Sequence, residues 1–238
     1  TATATPTPVP TDTPTPLPTP YAGPFRTNGG DYLAVKRSGL AIDGSPDDWQ
    51  GVPLLPLTFV QQGGENWSGE EDLTAVIRLA WDEQALYLLA EVRDDVHVQE
   101  LRAYDIFNGD SVELWLDMDL AGDFDDSSHN ADDYQLGFSP GNFTGSPPEG
   151  VVWFPQRRDD WRTQLQVAAR PQGAGYVLEA AVPWSILGVV PRSGMVFGFA
   201  PTANDNDTPG SAAQQTILMH TPVMAWGRPQ TFSNLELQ

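Results

Sequence analysis

From residue 32 onward, apolar and polar side chains alternate with a period of two in short runs broken by Gly, Pro, Asp and Asn. That is the pattern of strands with one face buried. Leu73–Trp81 and Ala85–Val92, joined by Asp82-Glu83-Gln84, predict a hairpin. Asp110–Met118 sets Val112, Leu114, Leu116 and Met118 on one face and Glu113, Trp115 and Asp117 on the other. Further strands are expected at Tyr134–Ser139, Thr163–Ala169, Tyr176–Val182, Val196–Asn204, Thr216–Met219 and Thr231–Leu237. Only Trp184–Gly188, opened by Pro183 and closed by a glycine, reads as a helical turn. No period of about 20 to 50 residues recurs, which disfavours a solenoid or propeller. The expected fold is all-β: an antiparallel β-sandwich of jelly-roll type, with long loops and at most one or two short helical turns.

The first twenty residues differ in kind. Eight are Thr and seven are Pro, so φ is fixed and the backbone donor removed at seven of the twenty positions. Residues 1–24 are expected to form an extended, Thr/Pro-rich linker of the sort found O-glycosylated outside cells. Residues 32–238 are expected to be the folded module.

Composition narrows the function. The 238-residue chain has 12 Lys and Arg against 32 Asp and Glu, a formal charge of −20, and no Cys. That charge repels phosphate backbones and anionic lipid, so no nucleic-acid partner is expected. No apolar run approaches ~18 residues, so no membrane insertion is expected either. Without Cys there is no disulfide frame and no thiol nucleophile.

Three constellations carry candidate chemistry. Asp117 to Asp133 holds carboxylates at 117, 119, 123, 125, 126, 132 and 133 with no Lys or Arg among them. Such a loop suits calcium, a hard cation that takes six to eight oxygens. The expected Ca2+ ligands are Asp117, Asp119, Asp123, Asp125 and Asp133, although the EF-hand spacing is absent. Asn204-Asp205-Asn206-Asp207 is either an Asx-type turn or a source of oxygens for a metal or for sugar hydroxyls. Eight Trp residues suggest saccharide stacking. Trp49, Trp81 and Trp184 lie in apolar or turn contexts and are expected in the core. Trp226, in the loop-like Ala225-Trp226-Gly227-Arg228-Pro229, is expected at the surface, as are Trp67, Trp153 and Trp161. Gly109-Asp110-Ser111 with Asp126-Ser127-Ser128-His129 superficially suggests a serine hydrolase. The serine opens a strand, however, and the histidine follows only 18 residues later, so no enzyme activity is expected.

Several blocks in order resemble carbohydrate-binding module family 9 and its DOMON-like relatives. They are Ile42-Asp43-Gly44 with Asp47-Asp48-Trp49; Trp81-Asp82, Leu86-Tyr87 and Val92-Arg93-Asp94; Asp110-Ser111-Val112-Glu113; Gly175-Tyr176 with Glu179-Ala180-Ala181-Val182-Pro183-Trp184; Asn204-Asp205; and Phe232-Ser233-Asn234-Leu235. The resemblance covers roughly residues 32 to 238. It implies a non-catalytic extracellular module with bound calcium, whose partner is a polysaccharide or oligosaccharide clamped between two aromatic rings. Trp226 matches one clamp aromatic, Phe107 stands where the family has a Trp, and Glu113 matches a glutamate that binds sugar hydroxyls. Asn204 and Asp205 are further candidates for ordering hydroxyls. Gly137 stands where the family has a sugar-binding Arg. A tethered catalytic domain or neighbouring copies are the other partners implied; the alternative reading is a structural subunit of a cell-surface or filamentous assembly.

Overall fold

The computed structural model describes residues 21–238; the expectations for the Thr/Pro head fall mostly on residues 1–20, outside this range. Thirteen strands form: β1 (Asp31–Lys36), β2 (Leu55–Leu57), β3 (Phe59–Gln62), β4 (Leu73–Trp81), β5 (Ala85–Asp94), β6 (Ser111–Asp117), β7 (Asp133–Ser139), β8 (Glu149–Phe154), β9 (Gln166–Pro171), β10 (Gly175–Pro183), β11 (Val196–Asp205), β12 (Thr216–Met219) and β13 (Ser233–Leu237). Helical structure among the described residues is limited to α1 (Asp159–Arg162), α2 (Trp184–Leu187) and two 3-10 turns at Ala103–Asn108 and Pro229–Thr231.

The strands make two layers. One runs β8-β7-β6-β11-β13-β1, with β12 pairing β11 and β3; the other runs β1-β4-β5-β10-β9, with β2 on β4. Strand β1 belongs to both. Asp31–Ala34 pair with β13 and Val35–Lys36 with β4, each in parallel. The remaining pairings are antiparallel, as expected for this sandwich.

Alternation explains where the core lies. Val112, Leu114 and Leu116 of β6 are fully buried and meet Leu79, Leu88, Leu178 and Phe199 in the main core. Strands β5 and β10 look uniformly apolar because both of their faces are covered. Leu86, Leu88 and Ala90 face the main core, whereas Ala85, Tyr87, Leu89 and Val177 face a second cluster around Trp49. That cluster is closed by Glu179, fully buried, whose carboxylate accepts from Trp49 Nε1 at 2.6 Å and from the Gly44 and Asp43 amides at 2.6 and 2.9 Å. Gly44 has φ +81°, a conformation that favours glycine. The Ile42-Asp43-Gly44…Trp49 block and Glu179 therefore form a structural clamp.

Trp49, Trp81 and Trp184 are buried as expected. Four strands escaped the sequence pattern: β1, β2, β3 and β8. β2 contains Pro56, and β8 is a short continuous apolar run behind Pro147-Pro148, so neither displays an alternation. The expected strand from Thr163 begins at Gln166, because Asp159–Arg162 forms a helical turn first.

Candidate functional site

The outer face of β6, β7, β8 and β11 carries a cleft of about 570 Å³. It is built from alternate residues of neighbouring strands. The residues of β6 that do not enter the main core are Ser111, Glu113, Trp115 and Asp117. In register, Ser111 lies opposite Asn204 of β11, while Glu113 lies opposite Thr202 of β11 and Gly137 of β7. At the floor, Glu113 Oε1 accepts from Asn204 Nδ2 at 2.8 Å, and Oε2 from Gln135 Nε2 at 2.9 Å. Burial raises the Glu113 pKa, and the two amide donors pull it back. Such an acceptor, held by donors, is suited to receive hydroxyl O–H groups.

Aromatic side chains share the lining of this cleft with the floor. Phe107, near the end of the Ala103–Asn108 turn, meets Trp153 edge to face at 6.1 Å. Trp153 belongs to β8, donates from Nε1 to Tyr104 O at 2.8 Å, and lies across Gly137: a Cβ there would stand 2.1 Å from the indole. Gly137 is thus the residue that admits the Trp153 ring. Trp226, 37 % exposed, also lines the cleft, and its Nε1 donates to Gln61 Oε1 at 3.2 Å. It meets Trp115 edge to face at 5.4 Å; Trp115 stacks on His129 at 5.0 Å, and His129 approaches Phe154 at 4.7 Å. Burial lowers the His129 pKa, so this wall is uncharged near neutrality. Gln62, Gln214 and Arg157 complete the lining.

The sequence-predicted residues Trp226, Phe107 and Glu113 therefore line one cleft, and Asn204 braces Glu113 from below. Asp205 does not join them, which corrects its assignment to sugar contact. Strand parity turns it away from Asn204, and its carboxylate groups with those of Asp94 and Asp207, all within 4.8 Å. Asp72, Asp95 and Asp207 form an adjoining group, as do Asp94, His97 and Asp110. Asp205 is fully buried, and neither of its oxygens has a hydrogen-bond partner among the described residues. Burial, reinforced by Asp207 and Asp110, pushes its pKa up to about 9. His97 Nδ1 stands 2.9 Å from Asp110 Oδ2, and Nε2 donates to Gly141 O at 2.8 Å. Burial alone would lower the His97 pKa, but Asp110 and Asp94 carry it up to about 10. Sequence reasoning pointed at Asn204–Asp207 but missed Asp72, Asp94 and Asp95, which are brought in by distant strand ends.

The acidic loop after β6 is rearranged relative to expectation. Asp117, Asp123 and Asp132 converge within 4.8 Å. Asp125 and Asp119 are exposed, Asp119 being occupied with its own turn through the Gly122 amide at 3.2 Å. Asp133 accepts from the Asn130 amide at 2.7 Å. Of the five expected calcium ligands, Asp117 and Asp123 fall in the converging set together with Asp132, and Asp133 is buried with one oxygen lacking a hydrogen-bond partner among the described residues. The loop also has a cation from far upstream: Arg26 Nη1 reaches Asp117 Oδ2 at 2.7 Å with both side chains buried. The seemingly catalytic serine is used structurally, since Ser111 Oγ donates to Gly109 O and accepts from Asn204.

Residues 42–238 match the family described as carbohydrate family 9 binding domain-like. Endo-1,4-beta-xylanase A of Thermotoga maritima is 27 % identical over 225 residues, covering 89 % of this chain and 19 % of that protein. The match therefore spans between 12 % and 19 % of the length of the curated relatives. A carbohydrate binding module family 9 from Caldicellulosiruptor kristjanssonii in complex with cellotriose superposes with TM-score 0.67 at 24 % identity, covering 87 % of this chain and 93 % of that one. The same organism's module in complex with glucose gives TM-score 0.65 at 25 % identity, covering 87 % and 95 %.

Proposed function

This chain belongs to the carbohydrate family 9 binding domain-like family, and from that premise we propose that it is a non-catalytic, extracellular module that holds a sugar ring between Phe107 and Trp226. The observation that carries the reading is the convergence of these two rings and Glu113, from two distant stretches of chain (residues 107–113 and the loop at Trp226), on one cleft. Sugar C–H faces pack on the rings, while Glu113, braced by Asn204 and Gln135, accepts from the hydroxyls. The ligand class is supported by the structural relatives described with cellotriose and glucose. The xylanase relatives support a role as an accessory to a catalytic domain. Few contacts of this kind give micromolar to millimolar affinity, about 4 to 8 kcal/mol.

The same reading includes calcium. An all-oxygen, all-carboxylate set suits a hard cation, and the two buried oxygens of Asp205, without hydrogen-bond partners among the described residues, supply the fit. Asp94, Asp205 and Asp207 would hold the ion, with Asp72 and Asp95 beside them; the ion supplies positive charge where carboxylates repel. Asp117, Asp123 and Asp132 form a second candidate set, where Arg26 already provides one positive charge.

Calorimetry with cellotriose tests the sugar reading. Heat saturating in the stated range is expected, with binding weakened by about 2 kcal/mol in Trp226→Ala; no heat from cellotriose or other cello- and xylo-oligosaccharides overturns it.

A further inference from the structure

Arg157 is one of four Arg side chains, with Arg37, Arg192 and Arg228, that have no carboxylate within 4 Å among the described residues, and of these four it is the one that lines the cleft. Eight of the twelve Lys and Arg side chains pair with a carboxylate within 4 Å. In a chain with 32 acids this is the ordinary outcome. Arg157 has no such partner among the described residues, although its neighbours Arg158 and Arg162 do. It is exposed and lines the cleft. Its guanidinium is seated over the Tyr104 ring at 5.0 Å, a contact that uses the planar face and leaves the N–H edges open. Tyr104 is itself anchored to the cleft wall, since its carbonyl receives the Trp153 indole N–H.

The cleft is therefore polarised. At the floor, Glu113 offers acceptor oxygens to hydroxyls; at the Trp153 side, Arg157 offers a fork of donors with positive charge. A neutral hexose uses the first and needs nothing with full charge from the second. A ring bearing a carboxylate uses both when that group is directed away from Glu113, and the planar guanidinium matches it with two parallel hydrogen bonds. Resting on the sugar-binding reading above, we propose that the cleft prefers a sugar unit carrying a carboxylate, a uronic acid, and that Arg157 is the residue that recognises it. The overall charge of −20 acts against any anion, but at physiological salt such long-range repulsion is screened beyond about 8 Å. The direct contact is not.

The test compares glucose with glucuronic acid by NMR titration, and adds cellotriose, on the wild type, Arg157→Gln and Arg157→Lys. The expected result is glucuronic acid bound at least fivefold more tightly than glucose by the wild type. That ratio falls to one or below in Arg157→Gln and is intermediate in Arg157→Lys, which keeps the charge but not the fork. The ratio is the reading, whatever each affinity does separately. A wild-type ratio of one or less, or a ratio unchanged in Arg157→Gln, overturns the proposal. If cellotriose binds and glucuronic acid is not preferred, this inference alone fails; if no sugar binds, the reading beneath it fails as well.

Discussion

Glu113 and Asp205 are buried to the same degree, both fully, on neighbouring strands of one sheet, yet their surroundings differ in one decisive respect. Both oxygens of Glu113 receive amide donors, whereas neither oxygen of Asp205 has a hydrogen-bond partner among the described residues. A buried carboxylate without donors carries a large desolvation cost unless a cation compensates it. The cleft is thus complete in the protein's own side chains, while the acidic cluster calls for an added charge. On the reading proposed above, the comparison teaches that one sheet keeps the sugar cleft apart from the acidic cluster, by sending Asn204 and Asp205 to opposite faces.

The strongest way to break this contrast is calcium. With free calcium a thousandfold above its dissociation constant, binding to the folded state alone adds about 4 kcal/mol. For a domain of this size that corresponds to a rise in Tm of about 10 °C. Calorimetric melting in chelator and in calcium checks it, and equal Tm values would remove the basis for a metal at Asp205. The pH dependence sharpens the same point. Asp205 and Asp207 have folded pKa values raised to about 9 and about 6, above the ordinary value near 4. Protonated in the fold and ionised in the unfolded chain, they contribute stability fully present below about pH 4 and lost as pH rises toward 9. The chelated protein is expected to lose Tm across that window, and calcium to flatten the slope; a chelated Tm that climbs with pH from 5 to 9 contradicts the assignment.

Substitutions at the cleft come next in size. Trp226→Ala is expected to weaken cellotriose by about 2 kcal/mol, as for a stacking hot spot, while Tm in calcium stays within a degree or two. Glu113→Gln should cost about 1.5 kcal/mol of sugar affinity by removing a charged acceptor, and should leave the calcium-induced rise intact. Asp205→Asn is the mirror image: it abolishes the calcium-induced rise and spares sugar affinity. A shared effect of both variants on both readouts would dissolve the separation. Phe107→Trp is the smallest change, a severalfold tightening from the larger ring face.

Much of this was legible in the chain. The alternation in Ser111–Asp117 placed Glu113 outward before any coordinates, and the loop context of Trp226 marked it as surface. Parity along Val196–Asp205 also contained the answer for Asp205, since residues 202 and 204 must share a face that 203 and 205 do not. Trp153 was marked as a surface ring, but its strand was hidden because β8 is a short apolar run with no alternation, and its fit over Gly137 depends on two strands lying side by side. Arg26 could not be read from the Asp117–Asp133 loop at all. It comes from 91 residues before Asp117 and is held by Asn234, near the other end of the chain.

The most direct measurement is a crystal structure of the protein grown with cellotriose. The account predicts a sugar ring between the faces of Phe107 and Trp226, with hydroxyls within hydrogen-bond distance of Glu113. Cellotriose ordered elsewhere on the surface, with that cleft filled by solvent, would contradict it.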